Sequence, residues 1–143
     1  MRCLKNEDKW VKLILSGKKT WEIRRTNTKI RERIALGSTK TKCYVGYATL
    51  VDSFEMAVQE LQQHNDKHRA NDFLAQYAKG RKNLFVWLLK DIESEPEPKP
   101  YSYSTGSWCK ENAINVTFLL NSFFKNFLGK EALSDPLNRH YSR

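Results

Sequence analysis

The 143-residue sequence has few cysteines, few prolines and no long hydrophobic run, and each shortage excludes a class of protein. Its three cysteines, Cys3, Cys43 and Cys109, are odd in number and far apart. They offer neither a zinc knuckle nor a redox pair, and they fit a reducing compartment better than a disulfide scaffold. No apolar stretch approaches the roughly 20 residues that span a bilayer. One candidate, Val116 to Leu120, stops at Asn121 and Ser122. Residues 1–8 lack the apolar core of a secretory signal. The expectation is a soluble, intracellular protein, cytoplasmic or nuclear, with no membrane partner. His64 and His68 are four apart, but no nearby cysteine completes a ligand set, so both are expected to be solvated and neither metal nor cofactor is expected. Three of the four prolines fall in Glu93–Pro100, which predicts an extended, solvated loop.

What is present is a folded domain's share of apolar residues, 40%, beside 29% charged residues. That much apolar surface excludes a disordered polar chain. The formal charge of +9 is uneven: residues 1–50 hold 13 Lys and Arg against 4 Asp and Glu, residues 51–100 hold 7 against 9, and residues 101–143 hold 5 against 3. The excess in the first third suits a phosphate or polyanion ligand. It suits a plain solvated face as well.

Local patterns predict the elements. Asn6 is placed to cap a helix over 7–16, in which Trp10, Leu13, Ile14 and Gly17 share a stripe and Gly17 ends the run. Thr20 to Arg25 alternates as a strand, with Trp21 and Ile23 toward the core and Thr20, Glu22 and Arg24 on the other face. Arg33–Leu36 and Cys43–Val51 read as strands joined by a turn over 37–42. Ser53 is expected to cap a helix carrying Phe54, Ala57, Val58 and Leu61, and a second helix holds Phe73, Leu74, Tyr77 and Ala78 before Gly80. Leu84–Leu89 is an apolar run suited to a strand covered on both faces. Residues 116–128 repeat apolar side chains at helical spacing. Several strands with two or three helices inserted predict a small, mostly β barrel with helices packed over it.

The most informative stretch is Gly17-Lys18-Lys19-Thr20-Trp21-Glu22-Ile23-Arg24. Lys19 leaves the helix end, and Glu22 and Arg24 leave one face of the following strand, so the three can meet in a cleft at the helix–strand corner. Arg24 offers a planar fork to a phosphate or a base edge. Lys19 supplies a point charge, or a base if burial lowers its pKa. Glu22 can orient Lys19 or accept from a nucleobase amino group. Arg33 and Lys40, with Arg31 and Lys42, would extend a cationic rim, and Trp108, Tyr101 or Tyr103 could serve as a stacking platform. The same charges can instead pair with one another and bind nothing, as exposed pairs worth roughly 0–1 kcal/mol do. Trp10, Trp21 and Trp87 fit core positions.

This octet resembles the G-x-K-x-x-E-x-R motif of the ASCH family. The resemblance continues through Leu13–Gly17, Arg31–Leu36, Val45–Asp52, Asp66–Arg69, Leu84–Leu89, Pro100-Tyr101 and Gly106–Trp108, in order. It implies an α+β, PUA-like barrel over residues 1–115, followed by a tail over 116–143. It also implies binding of RNA or a nucleotide in a cleft at Lys19, Glu22 and Arg24; with the rim and platform residues above, the expected ligand contacts are Lys19, Glu22, Arg24, Arg33, Lys40, Tyr101 and Trp108. The alternative is a metal-independent hydrolase, a ribonuclease or a nucleoside amidohydrolase, with Lys19, Glu22 and Thr20 as catalytic residues. In the amidohydrolase subgroup a lysine matches Lys19, but a threonine stands where this chain has Glu22, so Thr20 would have to substitute. Glu55 or Glu60 would supply the further carboxylate. A protein adaptor is the third reading.

Overall fold

Strand β1 (Arg2–Asn6) is an element the local pattern does not predict, and α1 (Asp8–Leu15) follows it. Then come β2 (Trp21–Arg24), β3 (Arg33–Ser38) and the long β4 (Cys43–Ala57). Three short helices, α2 (Val58–Leu61), α3 (Asn65–His68) and α4 (Asn71–Ala78), lead to β5 (Asn83–Pro100) and β6 (Trp108–Lys110). The computed structural model describes residues 1–102 and 104–110, all within one unit, Met1–Glu111. Tyr103 and the helix expected over 116–128 lie outside the described residues.

One mixed sheet runs in the order β2-β5-β4-β3-β1-β6. β1 and β3 are parallel, and the other neighbours are antiparallel. The class is α+β, as expected. A closed barrel is not seen: among the described residues β2 and β6 end the sheet without pairing to each other. Arg24 of β2 nonetheless reaches the Lys5 carbonyl and Asn6 of β1, and Ser107 just before β6.

Two apolar clusters hold the layers together. Val11 and Ile14 of α1 pack on Leu4, Ile34, Leu36, Leu50, Trp87 and Leu89. Trp21 and Ile23 of β2 pack on Leu61, Leu74, Ala78, Leu84 and Val86, which seats α2 to α4 on the sheet. A buried Leu or Ile contributes roughly 1.5–3 kcal/mol, so these clusters fix where α1 and α4 stand relative to β2. A third, smaller cluster gathers Cys3, Tyr44, Tyr101 and Cys109.

Three expectations need correction. No helix starts at Ser53: residues 53–57 continue β4 and pair with 83–87 of β5, so cross-strand pairing overrides the helical spacing of Phe54, Ala57 and Val58. Glu93–Pro100 is not a loop but the far half of β5. Its register against β4 jumps from Gly46↔Ser94 to Tyr44↔Lys99, so two prolines, Pro96 and Pro98, fall in the bulge where no ladder donor is needed. Asn6 does not cap α1. It lies in β1, Glu7 takes the cap position without a side-chain hydrogen bond, and the Asn6 carboxamide oxygen accepts from Arg24 instead.

Candidate functional site

The helix–strand corner is built by a C-terminal turn. Gly17 adopts φ +80°, and the amides of Gly17 and Lys18 donate back to the carbonyls of Ile14 and Leu13. This satisfies carbonyls left open at the end of α1 and reverses the chain so that Lys19 points inward. The amide of Thr20 then donates to the Lys67 carbonyl, and Lys19 Nζ donates to the His68 carbonyl at 2.7 Å. Both carbonyls belong to the last turn of α3, whose open acceptors and partial negative charge suit an ammonium group.

Around Lys19 the motif forms a buried charge triad. Lys19 Nζ lies 3.6 Å from Glu22 Oε1, and Arg24 Nη2 lies 3.0 Å from Glu22 Oε2. The backbone amide of Ile23 also donates to Glu22 Oε1. Burial alone would raise the Glu22 pKa, but Arg24 and Lys19, with Asn6 assisting, outweigh it and hold the carboxyl below its usual range. Lys19 moves down because burial penalises its ammonium more than Glu22 favours it, and Arg24 adds to the shift.

This triad floors a cleft of about 570 Å³ between the β1–α1 junction and α4. The walls bring in residues that the sequence pattern assigns elsewhere. Trp10 and Phe73 meet edge to face at 5.6 Å, and Tyr77 stands one turn along α4 from Phe73. Phe73 is 42% exposed, an unusual state for a large apolar side chain. Cations lie over these rings: Lys9 Nζ is 3.9 Å from the Phe73 centroid, and the Arg25 guanidinium is 4.8 Å from that of Tyr77. Lys5, Lys9, Lys19, Arg24, Arg25 and Lys79 line the cleft against two carboxylates, Glu7 and Glu22. The signal for this wall was the pair Phe73 and Tyr77, spaced i, i+4, one helical position off the buried stripe of Leu74 and Ala78.

The predicted residues divide into two groups. Lys19, Glu22 and Arg24 do meet in the cleft. Thr20, Arg33, Lys40, Tyr101 and Trp108 are not among its lining residues. Arg33 is held by Glu93 and the Asp91 carbonyl, over the Tyr47 ring. Lys40 is exposed in the turn between β3 and β4. Tyr101 is buried, its hydroxyl donating to the Ser38 carbonyl, and burial pushes its pKa up to about 12. Trp108 is half-buried and stacks on Trp87 at 5.8 Å. The two histidines are not both solvated either. His68 is fully buried, its Nδ1 accepting from the Ala70 amide while Nε2 donates to the Leu61 carbonyl at 2.6 Å. Among the described residues, no group of three or more His, Cys, Asp or Glu is placed to hold a metal ion, and no helix is long and apolar enough to cross a membrane.

The ASCH domain model matches residues 4–119, most of the sequence, and the chain belongs to the ASCH family. Its fold is similar to the crystal structure of ASCH from Zymomonas mobilis, at 20% identity and a TM-score of 0.67, covering 84% of this chain and 93% of that one. Two single-substitution mutants of the same bacterial protein match comparably. One has 20% identity and a TM-score of 0.67 over 84% of this chain and 96% of that chain, and the other has 19% and 0.66 over 84% and 94%. At this identity the likeness speaks for the fold. No curated protein matches the chain.

Proposed function

We propose that this ASCH domain binds RNA or a nucleotide in the cleft between α1 and α4, above the Lys19–Glu22–Arg24 triad. The observation that carries the reading is the interleaving of Phe73 and Tyr77 with Lys9 and Arg25 on one wall. Aromatic faces stack bases without regard to sequence, at about 1–3 kcal/mol per base, and the neighbouring cations take the phosphates. The triad beneath acts as a rigid floor. Its side chains are hydrogen-bonded from both sides and need no ligand to hold their geometry.

The hydrolase reading gains no favouring observation. Lys19 would have to leave the His68 carbonyl and Glu22 to act as a base, and Thr20 is not a lining residue. The reach of Arg24 from β2 to β1 and Ser107 supports a PUA-like barrel with an unpaired seam as part of this proposal. The proposal also includes a domain over 1–115, a tail over 116–143, and an intracellular setting where RNA is the partner.

The test is a fluorescence titration against short single-stranded RNA at two salt concentrations, comparing wild type with Phe73→Ala and Arg25→Ala. Both positions are on the cleft wall rather than in the triad, so each variant should keep its fold. Each should weaken binding by roughly tenfold, in line with one lost stack or phosphate contact, and Arg25→Ala should also flatten the salt slope by about one. Wild-type affinity in both variants would refute the cleft assignment.

A further inference from the structure

Resting on the nucleotide reading above, the floor of the cleft further defines which part of the ligand is buried. Most of the acceptor capacity of Glu22 is taken, since Oε1 faces the Ile23 amide and Lys19 while Oε2 faces Arg24. A nucleobase amino group pressed into the floor would meet donors. Two of those donors are idle. Arg24 Nε and Asn6 Nδ2 are buried with no partner at hydrogen-bond distance, although Nδ2 stands near enough to Glu22 to help hold its carboxyl down, and both residues line the cleft. Asn6 is only 7% exposed, and its carboxamide is oriented by Arg24 Nη2, which donates to Oδ1 and so turns Nδ2 away from Arg24. Arg24 Nη2 meanwhile serves three acceptors, the Lys5 carbonyl, Asn6 Oδ1 and Glu22 Oε2, with two hydrogens. A donor left unmet in burial is unfavourable, and an arriving oxygen would relieve that after a small shift of the Arg24 side chain.

Charge and size narrow the ligand further. The lining holds six cations and two carboxylates. A phosphomonoester carries about −1.5 to −2 at pH 7 with three strong acceptor oxygens, whereas a phosphate inside a chain carries one charge and is flanked by sugar on both sides. A cleft of about 570 Å³ sits inside the roughly 300–1,000 Å³ range of small-molecule sites. It has room for one nucleotide and not for a run of them.

We propose that the cleft holds a single nucleotide by a terminal phosphomonoester, with phosphate oxygens on Arg24 and Asn6 and the base against Phe73 and Tyr77. A stacking base displaces Lys9 and Arg25 from the ring faces and brings them to the phosphate. The same chemistry is offered by a free mononucleotide and by a phosphorylated RNA end.

The experiment titrates the full chain, by calorimetry, with adenosine, adenosine 5′-monophosphate, adenosine 3′-monophosphate, and one ten-nucleotide RNA carrying hydroxyl ends, a 5′-phosphate or a 3′-phosphate. At least one phosphomonoester should bind tenfold or more tighter than its hydroxyl counterpart. Preference confined to the mononucleotides identifies the free nucleotide as the ligand, and preference shown by the RNA identifies its end. Asn6→Asp keeps an oxygen for Arg24 but replaces the idle donor with an anion, and should bring the preference close to one. Asn6→Ala, which adds no charge, should reduce the preference in the same direction. Equal binding of phosphorylated and hydroxyl forms by wild type overturns this inference and leaves nucleotide binding standing. Absence of binding by every probe overturns both.

Discussion

Arg24 Nη2 lies 3.0 Å from the carbonyl oxygen of Lys5, although their strands, β2 and β1, stand first and fifth in the six-stranded sheet order. The same guanidinium reaches Asn6 of β1, Ser107 and Glu22. One side chain therefore links β2 to β1 and to Ser107, which backbone pairing leaves unjoined to β2 among the described residues. It joins the floor of the cleft to β1 and to the segment leading into β6.

Arg24→Lys tests that relationship, because lysine keeps the charge beside Glu22 but lacks a planar fork. Hydrogen bonds to a charged group contribute about 1.5–3 kcal/mol each, and lysine can recover only part of the set. The variant should lose about 2–3 kcal/mol, a fall in Tm of roughly 6–10 °C for a chain of this size. Hydrogen exchange should quicken in β1 and β6 before it quickens in the β4–β5 ladder. A variant as stable as wild type would show that the seam does not depend on the guanidinium.

Glu22→Gln removes the carboxylate set between Lys19 and Arg24. Breaking a buried ion pair from one side costs about 3–5 kcal/mol, since the remaining charges stay desolvated. Thermal unfolding should drop by roughly 10–15 °C. There is also a pH signature. The folded pKa of Glu22 lies below its ordinary value of 4.5, so its contribution is full above pH 4.5 and is lost as pH falls toward the folded value. Wild type should lose stability through that window more steeply than Glu22→Gln. Parallel acid transitions would mean that the triad contributes little.

The motif was legible in the sequence because its geometry is local. Gly17 stops a helix, four residues later a strand begins, and Lys19, Glu22 and Arg24 are placed by those two facts. The residues missing from that reading are placed by distant parts of the chain. β1 has only five residues, and its parallel partner β3 lies some thirty residues away, so no hairpin signal marks it. Asn6 has the chemistry of a helix cap, and only the return of Arg24 across the sheet gives its oxygen a different partner. Phe73 and Tyr77 look like core positions of α4 until the packing of Leu74 and Ala78 decides which face is buried. Arg33 and Tyr101 have residue types that suit a nucleotide cleft, but β3 and the segment just after β5 carry them away from it.

His68 supplies a second and separate pH dependence. Its ring is fully buried, and because Nδ1 accepts from the Ala70 amide, the proton sits on Nε2 and faces the Leu61 carbonyl. A proton added at Nδ1 would break the Ala70 bond and place a second positive charge beside Lys19, whose Nζ is bound to the carbonyl of the same residue. Burial lowers the pKa from its ordinary 6.5. The Leu61 carbonyl and Asp66 oppose the shift, while Lys19 and His64 reinforce it. The unfolded chain takes up a proton as pH falls through 6.5 and the folded protein does not, so stability declines from that pH down to the lowered folded value. Melting curves from pH 8 to pH 5 should show Tm falling below pH 6.5, well above the window set by Glu22. His68→Gln should be less stable at pH 8, having lost a fitted ring, yet flatter across the same range. If the variant keeps the full wild-type slope, the proton is being taken up elsewhere and His68 does not anchor the α3 end of the cleft floor through its neutral ring.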